Sequence, residues 1–167
     1  MKKFDTLLIQ HIPNLRRYSR ALTGSFHIAD DLVQDTLERA LNKKKLWKKE
    51  TSLRLWLFTV MHNIFINQIR RYQRVPQMEI LDDTISDNSR NPESHYYRHQ
   101  LLANINFLPN EQKEIFLLVS LEGFAYDEVA TILEIPVGTV MSRLSRAREK
   151  LRNSIAAANT VPLRRIK

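Results

Sequence analysis

Residues 124–152 read FAYDEVATILEIPVGTVMSRLSRAREKLR, and the fold turns on how this run breaks in its middle. Asp127 and Glu128 stand where acidic side chains favour a helix N-terminus. Val129, Ala130 and Leu133 then share one apolar stripe. Pro136 cannot continue a helix, so the chain breaks near Glu134-Ile135-Pro136 and restarts around Gly138-Thr139. In the second helix Val140, Leu144, Ala147 and Leu151 recur at helical steps and predict a buried seam. Away from that seam lie Thr139, Ser142, Ser145, Arg146 and Glu149, flanked by Met141, Arg143, Arg148, Lys150 and Arg152. Hydroxyls at the N-terminal end and arginines along the outer face suit the major groove of DNA. A basic helix face alone is usually just a solvated surface. Here turn, seam and hydroxyl-arginine face coincide, which favours a helix-turn-helix.

Outward from that hairpin, the charge pattern divides the chain. The 167 residues carry a formal net charge of +8 and a pI near 9.9, a balance that favours a polyanionic partner such as nucleic acid. Residues 1–75 hold 15 Lys/Arg against 6 Asp/Glu, residues 76–97 hold 1 against 5, and residues 98–167 hold 10 against 7. Two basic blocks therefore flank an acidic connector. With no cysteine, disulfides, thiolate metal sites and cysteine nucleophiles are excluded. The opening MKKFDTLLIQHIP has an apolar run broken by Asp5, Gln10 and His11, which argues against a signal peptide. No stretch approaches the length of a membrane span, so the expectation is a cytoplasmic protein without membrane insertion.

Three glycines, six prolines and long helical periodicities predict an all-α fold: two small helical domains joined by a flexible linker. The expected boundaries are residues 1–75 for the first domain, 76–97 for an acidic linker, 98–155 for the helix-turn-helix domain and 156–167 for a basic tail. The first helix is predicted over about Phe4–Leu22, kinked or divided at Pro13, with Gly24 as its stop. The second, about Ile28–Leu41, buries Ile28, Leu32, Val33, Thr36, Leu37, Ala40 and Leu41 and exposes Asp31, Gln34, Asp35 and Glu38. A loop from Asn42 to Ser52 follows with five lysines and Trp47. The third helix, about Leu53–Gln73, carries a wide apolar face and an opposite stripe of Thr59, Asn63, Asn67, Arg70, Arg71 and Arg74. Asn and Arg on one face can hydrogen-bond bases and neutralise phosphates; a polar bundle surface is the competing reading. Helices over about Arg98–Phe107 and Asn110–Glu122, with Gly123 as a stop, complete the second domain.

With both blocks placed, the sequence resembles a bacterial sigma factor of the extracytoplasmic-function group over nearly its whole length. The resemblance is carried by residues 29–35 (ADDLVQD), 56–63 (WLFTVMHN) and 135–148 (IPVGTVMSRLSRAR). It implies a non-enzymatic promoter-specificity subunit that binds core RNA polymerase at alternative, stress-responsive promoters and needs no cofactor. Asp31, Gln34, Asp35 and Glu38 match the surface that docks on the clamp helices of the largest polymerase subunit. The flap of the second-largest subunit and an anti-sigma factor are further implied partners. The loop Lys45–Ser52 and the start of the third helix match the part that captures an unstacked base of the minus-ten element. Asn63 and Asn67, with Arg70, Arg71 and Arg74 along the backbone, belong to the same contact. Thr139, Ser142, Ser145 and Arg146 would face the minus-thirty-five element, with Arg143 and Arg148 as phosphate contacts. The chain departs from the family pattern at Ala125, where a Ser or Thr often caps, at Glu134, where Gly is common, and at Met141, where Lys or Arg is common.

Three other functions compete. A sigma-like decoy would sequester an anti-sigma factor without reading DNA, but such mimics normally lose the basic helix faces. A standalone helix-turn-helix repressor leaves the Asp31–Glu38 face unexplained. An enzyme or zinc site would have to use His95 and His99, an i, i+4 pair with no third ligand; His62 reads as a packing or polar surface residue.

Overall fold

The computed structural model describes residues 3–72 and 92–159. Among them are seven α-helices and a single 3-10 turn: α1 (Lys3–Thr23), α2 (Phe26–Asn42), the turn Lys44–Leu46, α3 (Leu53–Tyr72), α4 (Pro92–Asn106), α5 (Asn110–Ser120), α6 (Tyr126–Leu133) and α7 (Val137–Asn159). Residues 76–91 of the linker expected over 76–97, and Arg74, lie outside the described residues, while residues 92–97 are helical. Helix α4 begins six residues before its predicted start, and α7 continues four residues past Ile155.

Each helix has a local reason for its ends. Pro13 sits inside an unbroken α1, and Gly24 takes φ +70 to end it. A Cβ at Gly24 would also come within 3.2 Å of the Asn106 side chain, which would have to shift by a few tenths of an ångström. Ser25 caps α2, its hydroxyl accepting from Ile28 N–H at 3.4 Å. This places the start of α2 two residues earlier than the predicted Ile28. Ser52 Oγ accepts from Leu55 N–H at 3.3 Å at the start of α3.

Helices α1, α2 and α3 pack as a three-helix unit around Leu15, Leu22, Leu32, Leu57 and Met61, all nearly or fully buried. Helices α5, α6 and α7 form a second unit around Ile115, Leu118, Val129, Ile132, Val140 and Leu144, with α4 against α7. Leu41, expected in the core, is 43% exposed; it falls on the last turn of α2, where the helix ends.

The two units share a continuous core. Helix α1 packs on α5 and α3 packs on α6. Along α3, Arg54, Phe58 and His62 recur every four residues and face the second unit. Phe58 stacks edge-on against Tyr18 at 5.2 Å and Phe124 at 5.0 Å. The Glu122 carboxylate, with no exposed side-chain surface, accepts Arg17 Nε and Nη2 at 3.2 and 3.1 Å and Arg54 Nη2 at 3.2 Å. Arg54 also donates to the Glu122 carbonyl and lies 4.0 Å from the Phe124 ring centroid. His62 Nδ1 and Glu114 Oε1 are 2.8 Å apart, and Lys113 Nζ donates to Leu22 O at 3.4 Å. Burial, with Glu114 and Glu122 nearby, pushes the Tyr18 phenol well above its ordinary pKa, so it stays protonated. Burial alone pushes Lys113 below the usual lysine range.

Candidate nucleic-acid interface

The helix-turn-helix forms as a tight hairpin. Ala125 has no side-chain oxygen to cap α6, and half of a capping box remains: Glu128 Oε1 accepts from Ala125 N–H at 3.0 Å. At the other end Glu134 adopts a left-handed conformation, φ 54 and ψ 46. Ile135 N–H then donates to Ala130 O at 3.1 Å, closing the turn as a glycine would. The strain of a non-glycine residue there is about 1 kcal/mol. The Pro136 carbonyl accepts from Thr139 and Val140 N–H at 3.0 and 3.2 Å, which starts α7 directly behind the proline. The predicted seam is buried throughout: Val140 and Ala147 at 0%, Leu144 at 2% and Leu151 at 5% exposure.

On the outer face of α7, Ser142, Ser145, Arg146 and Arg148 are exposed, and Thr139 and Arg143 are half-buried. Ser142 Oγ donates to Thr139 O at 3.2 Å. Arg143 Nη2 lies 3.6 Å from Glu111 Oε2, so its guanidinium is steered toward the first turn of α5. Met141 is 51% exposed and lines an apolar groove of about 560 Å³ with Leu101, Phe116, Tyr126 and Ile155. Arg148 and Arg152 stand among the residues lining that groove.

The first unit presents two adjoining polar stripes. Asp31, Gln34, Asp35 and Glu38 are all exposed on α2. Asn63, Asn67, Arg70 and Arg71 are exposed on α3, while Thr59 is half-buried and bonds back to Leu55 O at 2.9 Å. The stripes meet in a groove of about 410 Å³ lined by Asp35, Glu38, Asn67, Gln68 and Arg71. Gln68 Nε2 donates to Asp35 Oδ2 across it at 3.3 Å. Acidic and basic residues predicted for different partners thus border one depression.

The lysine-rich loop is pinned at both ends. Trp47 Nε1 donates to Thr51 O at 3.1 Å, and Thr51 Oγ1 donates to Lys48 O at 2.8 Å. The Phe4 ring sits 5.6 Å from Trp47 and 6.4 Å from Trp56, tying the start of α1 to the loop and to α3. Lys45, Lys48 and Lys49 remain exposed. A cationic loop braced in this way can hold a strand of nucleic acid.

The sequence reading missed Arg17, Arg54, Lys113, Glu114 and Glu122, the charged residues joining the units. The one available signal was the four-residue spacing of Arg54, Phe58 and His62. Among the described residues no group of three His, Cys, Asp or Glu could hold a metal ion, and no helix is long and apolar enough to cross a membrane. The His95 side chain lies outside the described residues.

The comparisons with known proteins agree with this architecture. Residues 8–62 match the family model for the sigma2 domain of PhyR, and residues 98–151 match sigma-70 region 4. The ECF RNA polymerase sigma factor EcfG of Rhodopseudomonas palustris is 34% identical over 147 residues, covering 86% of this chain and 80% of the relative. The RNA polymerase sigma factor YlaC of Bacillus subtilis is 29% identical over 161 residues, covering 90% and 91%. Among solved structures, the Bartonella quintana sigma factor RpoE, in complex with the anti-sigma factor NepR, matches with a TM-score of 0.80 at 30% identity, covering 93% of this chain and 98% of that one. Fold, paired units and relatives converge: this chain belongs to the extracytoplasmic-function group of RNA polymerase sigma factors.

Proposed function

We propose that the chain is a promoter-specificity subunit that docks on core RNA polymerase and directs initiation at stress-responsive promoters. The observation that carries this reading is the simultaneous exposure of three surfaces: the acidic face of α2, the Asn-Arg stripe of α3 and the hydroxyl-arginine face of α7. Each lies opposite a buried seam, so none is needed for the core. Asp31, Gln34, Asp35 and Glu38 offer carboxylates and an amide to an arginine-rich clamp. Asn63 and Asn67 face an opened minus-ten strand while Arg70, Arg71 and Arg74 neutralise its phosphates. Melting draws on binding energy, since a base held out of the stack offsets lost stacking. Thr139, Ser142, Ser145 and Arg146 read the minus-thirty-five duplex, with Arg143 and Arg148 on its backbone. The apolar groove beside Met141 suits the flap of the second-largest polymerase subunit. Run-off transcription on a genomic library with matching core enzyme tests the reading: transcripts from defined start sites are expected, and their complete absence counts against it.

A second reading has a specific observation behind it. The model matched by residues 8–62 is that of PhyR, and the Bartonella quintana PhyR has been solved as an anti-anti-sigma factor complexed with NepR. A decoy that captures an anti-sigma factor is therefore the alternative. The exposed Arg70, Arg71, Arg146 and Arg148 favour the DNA-reading role. An anti-sigma factor is an expected partner in either case. A promoter footprint obtained with the holoenzyme separates the two.

A further inference from the structure

We infer that the docking face of α2 is completed by Gln68 of α3. Gln68 is a positioning residue: it aims the Asp35 carboxylate and adds an amide oxygen, so that the groove between the two helices takes one arginine side chain of the polymerase. The inference rests on the sigma reading, which assigns Asp35 and Glu38 to docking and leaves Gln68 unassigned.

Gln68 stands apart from its neighbours on α3. Asn67 and Arg71 are exposed on the outward stripe, whereas Gln68 is half-buried and reaches across to α2. Its bond to Asp35 spans 33 positions of sequence and ties one helix to the other. Chemistry fixes the direction of that bond. An ionised carboxylate only accepts, so the amide Nε2 donates at 3.3 Å to Asp35 Oδ2. The reversed amide would set two acceptor oxygens against each other. Gln68 Oε1 is left over, without a partner among the described residues.

The charges around this bond are unbalanced. Asp35 and Glu38 lie three positions apart on one side of α2, and both are exposed. Arg39, Lys43 and Arg71 border the same groove of about 410 Å³, yet among the described residues none of them pairs with either carboxylate. Both carboxylates thus remain open to a cation from outside. With Gln68 Oε1 they supply three acceptor groups around one depression.

Arginine suits that set better than lysine. A guanidinium has five N–H donors in one plane, so it can bind a carboxylate through two of them and still reach an amide oxygen with a third. An ammonium meets the same repulsion from Arg39, Lys43 and Arg71 without the bidentate bonds that offset it. A promoter strand is the rival occupant, because Asn67 and Arg71 lie alongside. The observed geometry disfavours it: one of the two amide N–H groups is committed to Asp35, and a strand entering the groove would bring phosphates against two carboxylates.

Titration of dye-labelled chain with core RNA polymerase tests the assignment. The chain has no cysteine, so Gln10→Cys, an exposed position outside the assigned surfaces, carries the single label. Relative to the labelled parent, Gln68→Ala should weaken core binding by roughly three- to tenfold. Gln68→Lys should weaken it further, because the introduced ammonium pairs with Asp35 and neutralises it. Since Gln68 acts through Asp35, the effect of Gln68→Ala should shrink to under about twofold in an Asp35→Ala background, a coupling that a merely structural residue would not show. Thermal unfolding midpoints and the binding of a forked minus-ten fragment by preassembled holoenzyme should match the parent. Equal core affinity in the parent and both Gln68 variants overturns the assignment, and so does a loss that persists in full without Asp35. Unchanged core binding with weakened fork binding overturns it too, and moves Gln68 to the DNA stripe. A parent that itself fails to bind core overturns the sigma reading, and the docking role of Gln68 falls with it.

Discussion

Helix α3 carries two polar stripes of similar composition that meet opposite fates. Arg54 and His62 turn inward and are paired with Glu122 and Glu114 on the second unit. Asn63, Asn67, Arg70 and Arg71 turn outward, and among the described residues neither arginine has a carboxylate partner. A cation already neutralised within the chain gains little from a phosphate, whereas a solvated one can release counterions from DNA. Position around the helix, and not residue type, therefore separates the arginines that hold this protein together from those that can grip a polyanion.

The comparison can be broken most sharply at its centre. Phe58→Ala removes the ring between Tyr18 and Phe124 and should cost about 3–5 kcal/mol in urea unfolding. A cost under about 1 kcal/mol would mean the inward stripe is not part of a single cooperative core. On the outward stripe, Arg70→Ala with Arg71→Ala should change stability by less than about 0.5 kcal/mol. The same pair should lower the salt slope of promoter binding by about 2. An unchanged slope assigns that stripe to the solvent.

Smaller effects sharpen the contrast. Lys113 has a depressed pKa when folded, whereas the unfolded chain holds its proton up to about 10.5. The unfolded state binds more protons in that window, so stability should rise with pH from the depressed folded value toward 10.5. Lys113→Met should flatten this limb in pH-dependent denaturation, and an unaltered limb would place the titration elsewhere. Glu134→Gly relieves the left-handed strain in the recognition hairpin and should raise stability by about 1 kcal/mol or less, since glycine's extra unfolded-state entropy offsets part of the gain. DNA affinity should stay the same if that turn only connects α6 to α7.

The recognition hairpin was readable because its determinants are neighbours. Val140, Leu144, Ala147 and Leu151 announce their burial by spacing, and Pro136 announces the break. The same logic placed Asp31, Gln34, Asp35 and Glu38 on an exposed face, and Asn63, Asn67, Arg70 and Arg71 on another. It failed at helix ends such as Leu41, where burial depends on how far a neighbouring helix extends. It also missed the cap supplied by Ser25, which began α2 two residues before the apolar periodicity.

The seam was not legible. Arg17 and Arg54 looked like further members of a basic block, and Glu122 like the end of a surface helix. Their partners lie 105 and 68 residues away in the chain, and His62 lies 52 residues from Glu114. Periodicity reports which side of a helix avoids water, so sequence alone was enough for the helices, the hairpin and the exposed polar faces. It carries no information about which distant carboxylate a buried arginine will meet. That choice required three helices to be brought together in space, and only the tertiary structure made it.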